Sequence, residues 1–189
     1  EYTQVIIKEA DRLQVLLDRL LTPQRPWQPG RLNIHEVFER VRTLVLAEFG
    51  HKVAILCNYD PSVPDLDGDR EQLIQALLNI ARNAAQALTS ESNLPWRKGT
   101  LIFRTRVARQ VTVLRQRYKL ALELQVIDDG PGVPEEIRDR IFSPLVSGRE
   151  GGTGLGLSLA QTLIGNHHGI IECASRPGRT VFTILLPLA

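Results

Sequence analysis

Cysteine is scarce in this chain, neither sign of charge is in excess, and no hydrophobic run is long. Of 189 residues only Cys57 and Cys173 are cysteines. They stand far apart in apolar surroundings (VAILCNY and IIECAS), which argues against a disulfide or metal framework and predicts buried, reduced thiols in a reducing cytoplasm. The 23 basic and 21 acidic residues leave a net charge of +2. They read as scattered, without the basic run of a nucleic-acid footprint, so no nucleic-acid partner is expected. No apolar stretch approaches the roughly 18 residues of a membrane span, and nothing at the N-terminus resembles a signal peptide. No membrane association is expected either. What is present, 43% hydrophobic residues, suffices for one well-buried domain with an appendage.

The appendage comes first. Ile6, Ala10, Leu13, Leu17 and Leu20 recur at steps of three and four over residues 2–21, the stripe of an amphipathic helix that either docks on the main domain or forms one leg of a bundle. The chain starts inside this pattern, which reads as a piece of something longer. TPQRPWQPG (22–30) then stops the helix with three prolines and a glycine. A second helix is predicted from the N-cap Asn33, with Glu36 three residues on, to about Phe49. A strand follows over 53–59, then a loop, then a helix from the capping pair Asp69 and Gln72 to about Leu88. Strands over 100–108 and 120–128 suit an antiparallel pair. A short helix from Pro134, a loop over 142–152, a helix from about Thr153 to His167 and strands near 169–175 and 180–187 complete the chain. Paired strands without strict helix alternation predict a two-layer α/β sandwich.

Three clusters carry chemistry. GGTGLGLS (151–158) nearly meets the P-loop pattern, but Leu157 stands where the lysine belongs, and the dinucleotide fingerprint fails because Leu159 takes the place of its last glycine. A helix N-terminus with close-approach glycines still favours an anion; the plainer alternative is a surface loop capped by Thr153. On the helix from Asp69, residues Gln72, Gln75, Asn79, Asn83 and Gln86 share one face, opposite a core face of Leu73, Ile74, Leu77, Ala81, Ala84 and Leu88. Neutral amide oxygens suit a Mg2+ ion that is already partly neutralised by nucleotide phosphates; a polar helix surface would also explain them. DDGPGVP (128–134) ends a strand with a carboxylate and two glycines, able to accept a hydrogen bond beside a flat base, or simply to turn the chain.

In this order, NIARNAAQAL, DDGPGVP, IFSPL, GGTGLGLSLA and RPGRTVFTILLP resemble the N, G1, F, G2 and G3 boxes of sensor histidine kinases, over about residues 33–189. The likeness extends to the nitrogen-regulation group of these kinases in FSPLVSGREGGTGLGLSLA and YDPSVPDLDGDREQLIQALLNIARNAAQAL. The resemblance implies a Bergerat (GHKL) fold with a mixed sheet, ATP and Mg2+ as cofactors, and part of a helical dimerisation hairpin at residues 1–22, joined by a linker (23–32) to an ATP-binding domain (33–189). It implies Asn83 as the metal ligand, Asn79 near the phosphates and Asp128 on the adenine amine, with Gly130 and Gly132 beside the ring and Thr180 supporting that end through water. Phe142 to Gly152 would form a mobile lid. Gly152, Thr153, Gly154, Leu155, Gly156 and Leu157 would meet the phosphates, and Arg149 would be a lid cation. The sequence departs from the pattern at Asp129, where asparagine is frequent, at Leu145, where a second phenylalanine is usual, and at Gln86, where some relatives carry a basic phosphate contact. That last departure leaves open how Arg82 and Arg149 share the charge.

ATP-hydrolysing members of the superfamily carry a glutamate base four residues before the metal-binding asparagine. Here that position is Asn79, and Gln75 lies one turn back; neither can take a proton from water. The reading is therefore phosphoryl transfer by positioning and charge neutralisation, as a protein histidine kinase. His35-Glu36 begins like an acceptor box but lacks its proline, so His35 reads as a first-turn helix residue. His167 and His168 read as helix-end residues whose imidazolium would suit the dipole, and His51 as loop. The acceptor histidine is expected upstream of Glu1, in a homodimer. The resemblance adds an NtrC-like response regulator and a PII signal protein as partners. A GHKL-type ATPase and a nucleotide-sensing docking module without catalysis are the alternatives.

Overall fold

A computed structural model describes residues 26–89, 98–148 and 152–188. The helix expected over 2–21, the start of the connector and Arg149 lie outside the described residues. The first helix inside them, α1 (Ile34–Phe49), begins as its sequence predicts, with the Asn33 side chain accepting from the His35 amide at 2.8 Å. Glu36 does not close a capping box; it reaches across to Arg70 at 2.8 Å. Ile34, Val37, Phe38, Val41 and Val45 are fully buried at helical spacing.

α2 (Arg70–Thr89) starts on Asp69, whose Oδ1 accepts from the amides of Glu71 and Gln72 at 3.1 and 3.2 Å. Its buried face is Leu73, Ala76, Leu77, Ile80, Ala81, Ala84, Ala85 and Leu88. The alanines let neighbours approach closely. α3 (Gly156–Gly165) packs against it through Ala160, Leu163 and Ile164. This helix is shorter than expected at both ends, because Leu155 rather than Thr153 precedes it and Asn166 follows it, without a side-chain N-cap.

These helices cover one face of a five-stranded mixed sheet in the order β2 (Val53–Asn58), β4 (Gly99–Val113), β5 (Gln116–Asp128), β7 (Arg179–Pro187), β6 (Ile170–Arg176). Only β2 and β4 are parallel; the other pairs are antiparallel. Alternate residues Leu101, Phe103, Leu122, Leu124, Val126, Phe182, Ile184 and Leu186 are buried, and Phe38 of α1 meets Phe103 at 5.0 Å between ring centres. The two-layer α/β sandwich with a mixed sheet is thus the observed architecture. The β4–β5 hairpin is longer than its sequence predicts and outruns its neighbours, since β2 pairs only as far as Arg104 and β7 only as far as Ala121. The overhang exposes Arg109, Arg115, Arg117 and Lys119, so basic charge is locally concentrated where the sequence suggested even scattering.

Two short strands went unpredicted. β1 (Gly30–Leu32) pairs antiparallel with β3 (Leu66–Gly68), inside stretches read as connector and loop. Just before β1, the Gln28 amide donates to Asp69 Oδ2 at 2.9 Å, and Trp27 sets its ring edge-on against His167 at 4.7 Å. His167 is buried and accepts the Asp69 amide on Nε2 at 3.0 Å, with Nδ1 at 2.8 Å from the Leu163 carbonyl. That pattern needs the neutral ring with its proton on Nδ1, and burial lowers its pKa. The imidazolium expected at this helix end is therefore not present: the ring serves as an acceptor inside the protein. Cys57 also departs from expectation. It is exposed, with Sγ donating to Glu39 at 3.7 Å. Cys173 is half-buried, its thiol pushed up to about 11 by burial and by the Asp128 charge nearby.

Candidate functional site

A cleft of about 440 Å³ opens between α2, the start of α3, the turn after β5 and the 3-10 helix Glu135–Arg140 with the loop that follows it. It is lined by Asn79, Asn83, Asp128, Gly132, Gly152, Thr153, Gly154, Gly156, Leu157 and Thr180. Five separate stretches of sequence meet there. Gly130 and Leu155 are not on the lining.

One end is built by the sheet. Asp128 and Thr180 are cross-strand partners on β5 and β7, both on the helix-facing side and only 4% and 3% exposed. The Gly130 amide donates to Asp128 Oδ1 at 2.9 Å, which fixes the carboxylate. Thr180 Oγ1 lies 2.8 Å from Ser175 Oγ, which in turn accepts the Val133 amide at 2.8 Å. The Gly178 amide donates to the Gly130 carbonyl at 2.8 Å. Gly132 turns here at φ +89°, and a Cβ on it would stand 3.0 Å from the Arg176 carbonyl carbon; only glycine combines that dihedral with that approach. The turn after β5 and the β6–β7 hairpin are thereby pinned together. Asp129, one of the departures from the family pattern, accepts the Thr100 amide at 2.7 Å and closes the β4–β5 ladder.

The other end is built by helices. The five-residue amide stripe divides. Gln72 accepts from Asn166 at 3.0 Å and braces the end of α3, and Gln75 is exposed. Asn79, Asn83 and Gln86 line the cleft. Asn79 Nδ2 is buried without a hydrogen-bond partner, a donor that an anion in the cleft could satisfy. Facing Asn79 is the start of α3: a Cβ on Gly156 would still be 3.9 Å from Asn79 Cβ, so there is room. With no side-chain N-cap, the first-turn amides and the helix dipole are offered to the cleft. Asn79 and Ala87, which neighbours Gly130 and the base of the sheet end, are eight residues apart on α2, about 12 Å along the axis.

The stretches on either side of residues 149–151 are tied to each other. Gly154 stands at φ +65°, and a Cβ there would come within 2.5 Å of the Leu145 carbonyl carbon. Its carbonyl accepts the Leu145 amide at 2.9 Å. This glycine is thus required by the contact between the two ends of the loop. Leu145, where the family pattern carries a second phenylalanine, adopts φ 66° and is 46% exposed. Phe142 packs edge-on against Phe182 at 6.3 Å.

Arg82 is the lining residue that patterning underrated. It lies on the same helical face as Asn79 and Gln86 and is the only cation on the described lining, while Asp128 is the only carboxylate. Its signal in the sequence was the spacing from Asn79 and Gln86. The described donors suit a divalent cation that arrives with phosphate charge: neutral amides at the helical end and no carboxylate there. Among the described residues no group of three histidine, cysteine or acidic side chains could hold a metal by itself. His35 is engaged elsewhere, bonded to Thr105 Oγ1 at 2.9 Å and stacked on Tyr59.

Comparison with known proteins fits this geometry. The family model described as histidine kinase-, DNA gyrase B-, and HSP90-like ATPase matches residues 68–189. The chain is 52% identical over 188 residues to the sensory histidine kinase/phosphatase NtrB of Escherichia coli O157:H7 and 47% identical over 188 residues to that of Vibrio alginolyticus; each match takes in 100% of this chain and 52% of the relative. The chain thus spans about half the length of the curated relatives it matches. Among solved structures, the catalytic domain of the histidine kinase ThkA is similar with a TM-score of 0.68 at 25% identity, over 85% of this chain and 96% of that one.

Proposed function

The chain belongs to the family of histidine kinase-, DNA gyrase B- and HSP90-like ATPases, and from that premise we propose that it is the ATP-binding catalytic part of an NtrB-type sensor histidine kinase. Its two-ended cleft is the observation that carries the reading. A buried carboxylate fixed by the Gly130 amide marks one end, and amides with an uncapped helix start mark the other, about 12 Å away along α2. Adenine would lie against Asp128, Gly132 and Thr180. The triphosphate would lie along Asn79, Asn83 and the first turn of α3, under a lid that includes Gly152, Thr153, Gly154 and Arg149. Mg2+, held by Asn83 with Asn79 beside it, would supply neutralisation of phosphate charge.

Phosphoryl transfer is favoured over hydrolysis because Asn79 and Gln75 stand where a base would be needed, and an amide accepts no proton at neutral pH. The chain then orients the γ-phosphate for an incoming nucleophile. The nucleophile would be a histidine of the dimerisation hairpin, upstream of this chain and within the same dimer. An NtrC-like response regulator would receive the phosphate, and a PII protein would control the balance between kinase and phosphatase named in the relatives. His35, locked in the Thr105 contact, is unsuited to that role.

Calorimetric titration with Mg-ATP, followed by incubation with a separately supplied acceptor hairpin and labelled ATP, tests this. Binding is expected to fall at least tenfold in Asp128→Asn and Asn83→Ala, with label appearing on the hairpin and not on this chain. Steady phosphate release without any acceptor would support an ATPase, and binding with no acceptor ever modified would support a sensing module.

A further inference from the structure

Arg82 raises a question of charge. The triphosphate end of the cleft needs a positive side chain, and Gln86 offers none. Arg82 projects from α2 between Asn79 and Gln86 and is the only cation on the described lining. Its guanidinium is not loose. Nε donates to Glu48 Oε2 at 2.8 Å, from the last turn of α1, in a pair whose side chains are each a little under half exposed. An arginine has five N–H donors in a rigid fork, and this contact takes one. The four on the terminal nitrogens make no other hydrogen bond among the described residues. Arg82 stands three residues on from Asn79, whose Nδ2 is buried and unpartnered, and both residues line the same end of the cleft.

We propose that Arg82 is the phosphate-neutralising cation of this cleft and that Glu48 is its positioning residue. The Glu48 contact at Nε orients the fork so that its terminal edge faces the cleft, where it meets non-bridging oxygens in the geometry that guanidinium favours over ammonium. α1 thereby contributes to nucleotide recognition although Glu48 is absent from the lining. The charge that some relatives carry at position 86 is moved one helical turn back. This inference rests on the cleft being a nucleoside triphosphate site.

The test compares Mg-ATP, ADP and adenosine on the full chain by calorimetry, with Arg82→Gln, Arg82→Lys, Glu48→Gln and the Arg82→Gln/Glu48→Gln double variant, each checked for an unchanged thermal midpoint. Arg82→Gln is expected to weaken ATP about tenfold and adenosine less than twofold. Arg82→Lys should recover part of the loss. Glu48→Gln should weaken ATP a few-fold alone, adenosine less than twofold, and ATP no further on top of Arg82→Gln; a merely structural pair would weaken ATP and adenosine alike. Equal losses for ATP and adenosine in Arg82→Gln, or no loss, would overturn the proposal. Should Arg82→Gln fail to fold, Arg82→Lys and Glu48→Gln decide: ATP and adenosine affected alike means the pair is structural. If the unaltered chain binds adenosine and ATP equally, or neither, the nucleotide reading itself has failed instead.

Discussion

At the scale of single residues, the sharpest constraint is on backbone rather than side chain. Gly154 combines φ +65° with a Cβ position already occupied by the Leu145 backbone, whereas Gly178, at φ +83°, faces open space. Gly154→Ala must therefore break the Leu145–Gly154 hydrogen bond or distort the loop, while Gly178→Ala carries only the left-handed penalty of about 1–2 kcal/mol. Nucleotide titration is expected to show roughly a tenfold loss for the first, matching about 1–3 kcal/mol of local strain, and no change for the second. Equal behaviour of the two would refute the argument. The grouping of these residues was legible, since Asn79, Asn83, Asp128 and Thr180 line one cleft. Periodicity alone could not separate Gln72 from Asn79, because both share a helical face; which amide meets a cleft and which meets Asn166 is decided by where α3 packs. Arg82 was harder still, since its importance lies in the company of Glu48, a residue 34 positions away.

Among elements, the strongest local signals were the two helix starts, and they differ in what they bear. Asn33 caps α1 from an exposed site with a bond to the His35 amide. Asp69 is buried, caps α2 with one oxygen and holds the Gln28 amide with the other. Urea unfolding should accordingly register about 1 kcal/mol for Asn33→Ala and roughly 2–3 kcal/mol for Asp69→Ala, which loses both the cap and the Gln28 contact. If the two cost the same, the tie between Gln28 and α2 contributes nothing. Caps were readable because the side chain that makes them is local. β1 and β3 were not, since each is only three residues long and is stabilised by a partner some 36 positions away in sequence. The start of α3 was misjudged for the opposite reason. Thr153 looked like the cap, yet Leu155 precedes the helix without a side-chain bond, and the nearby Ser158 hydroxyl donates to the Leu155 carbonyl.

For the molecule as a whole, two histidines contribute to its acid sensitivity. Burial lowers the pKa of both His167 and His35 below the ordinary 6.5, against smaller opposing effects of Asp69 and Asp60. The unfolded chain then binds protons that the folded one refuses, so stability is at its full value above about pH 6.5 and declines as pH falls through the lowered values. Thermal midpoints measured between pH 7.5 and 5 are expected to drop, and the slope to flatten in His167→Gln, whose amide oxygen can still accept the Asp69 N–H. A midpoint independent of pH over that range would contradict the neutral assignment of His167. The join of Trp27 and Gln28 to His167 and Asp69 has a mechanical meaning besides. Gln28 hangs on the carboxylate that starts α2, and Trp27 on the ring that follows α3. Two adjacent residues therefore grip the start of one helix and the end of the other, so a displacement of Trp27 and Gln28 would bear on both helices that wall the cleft at once.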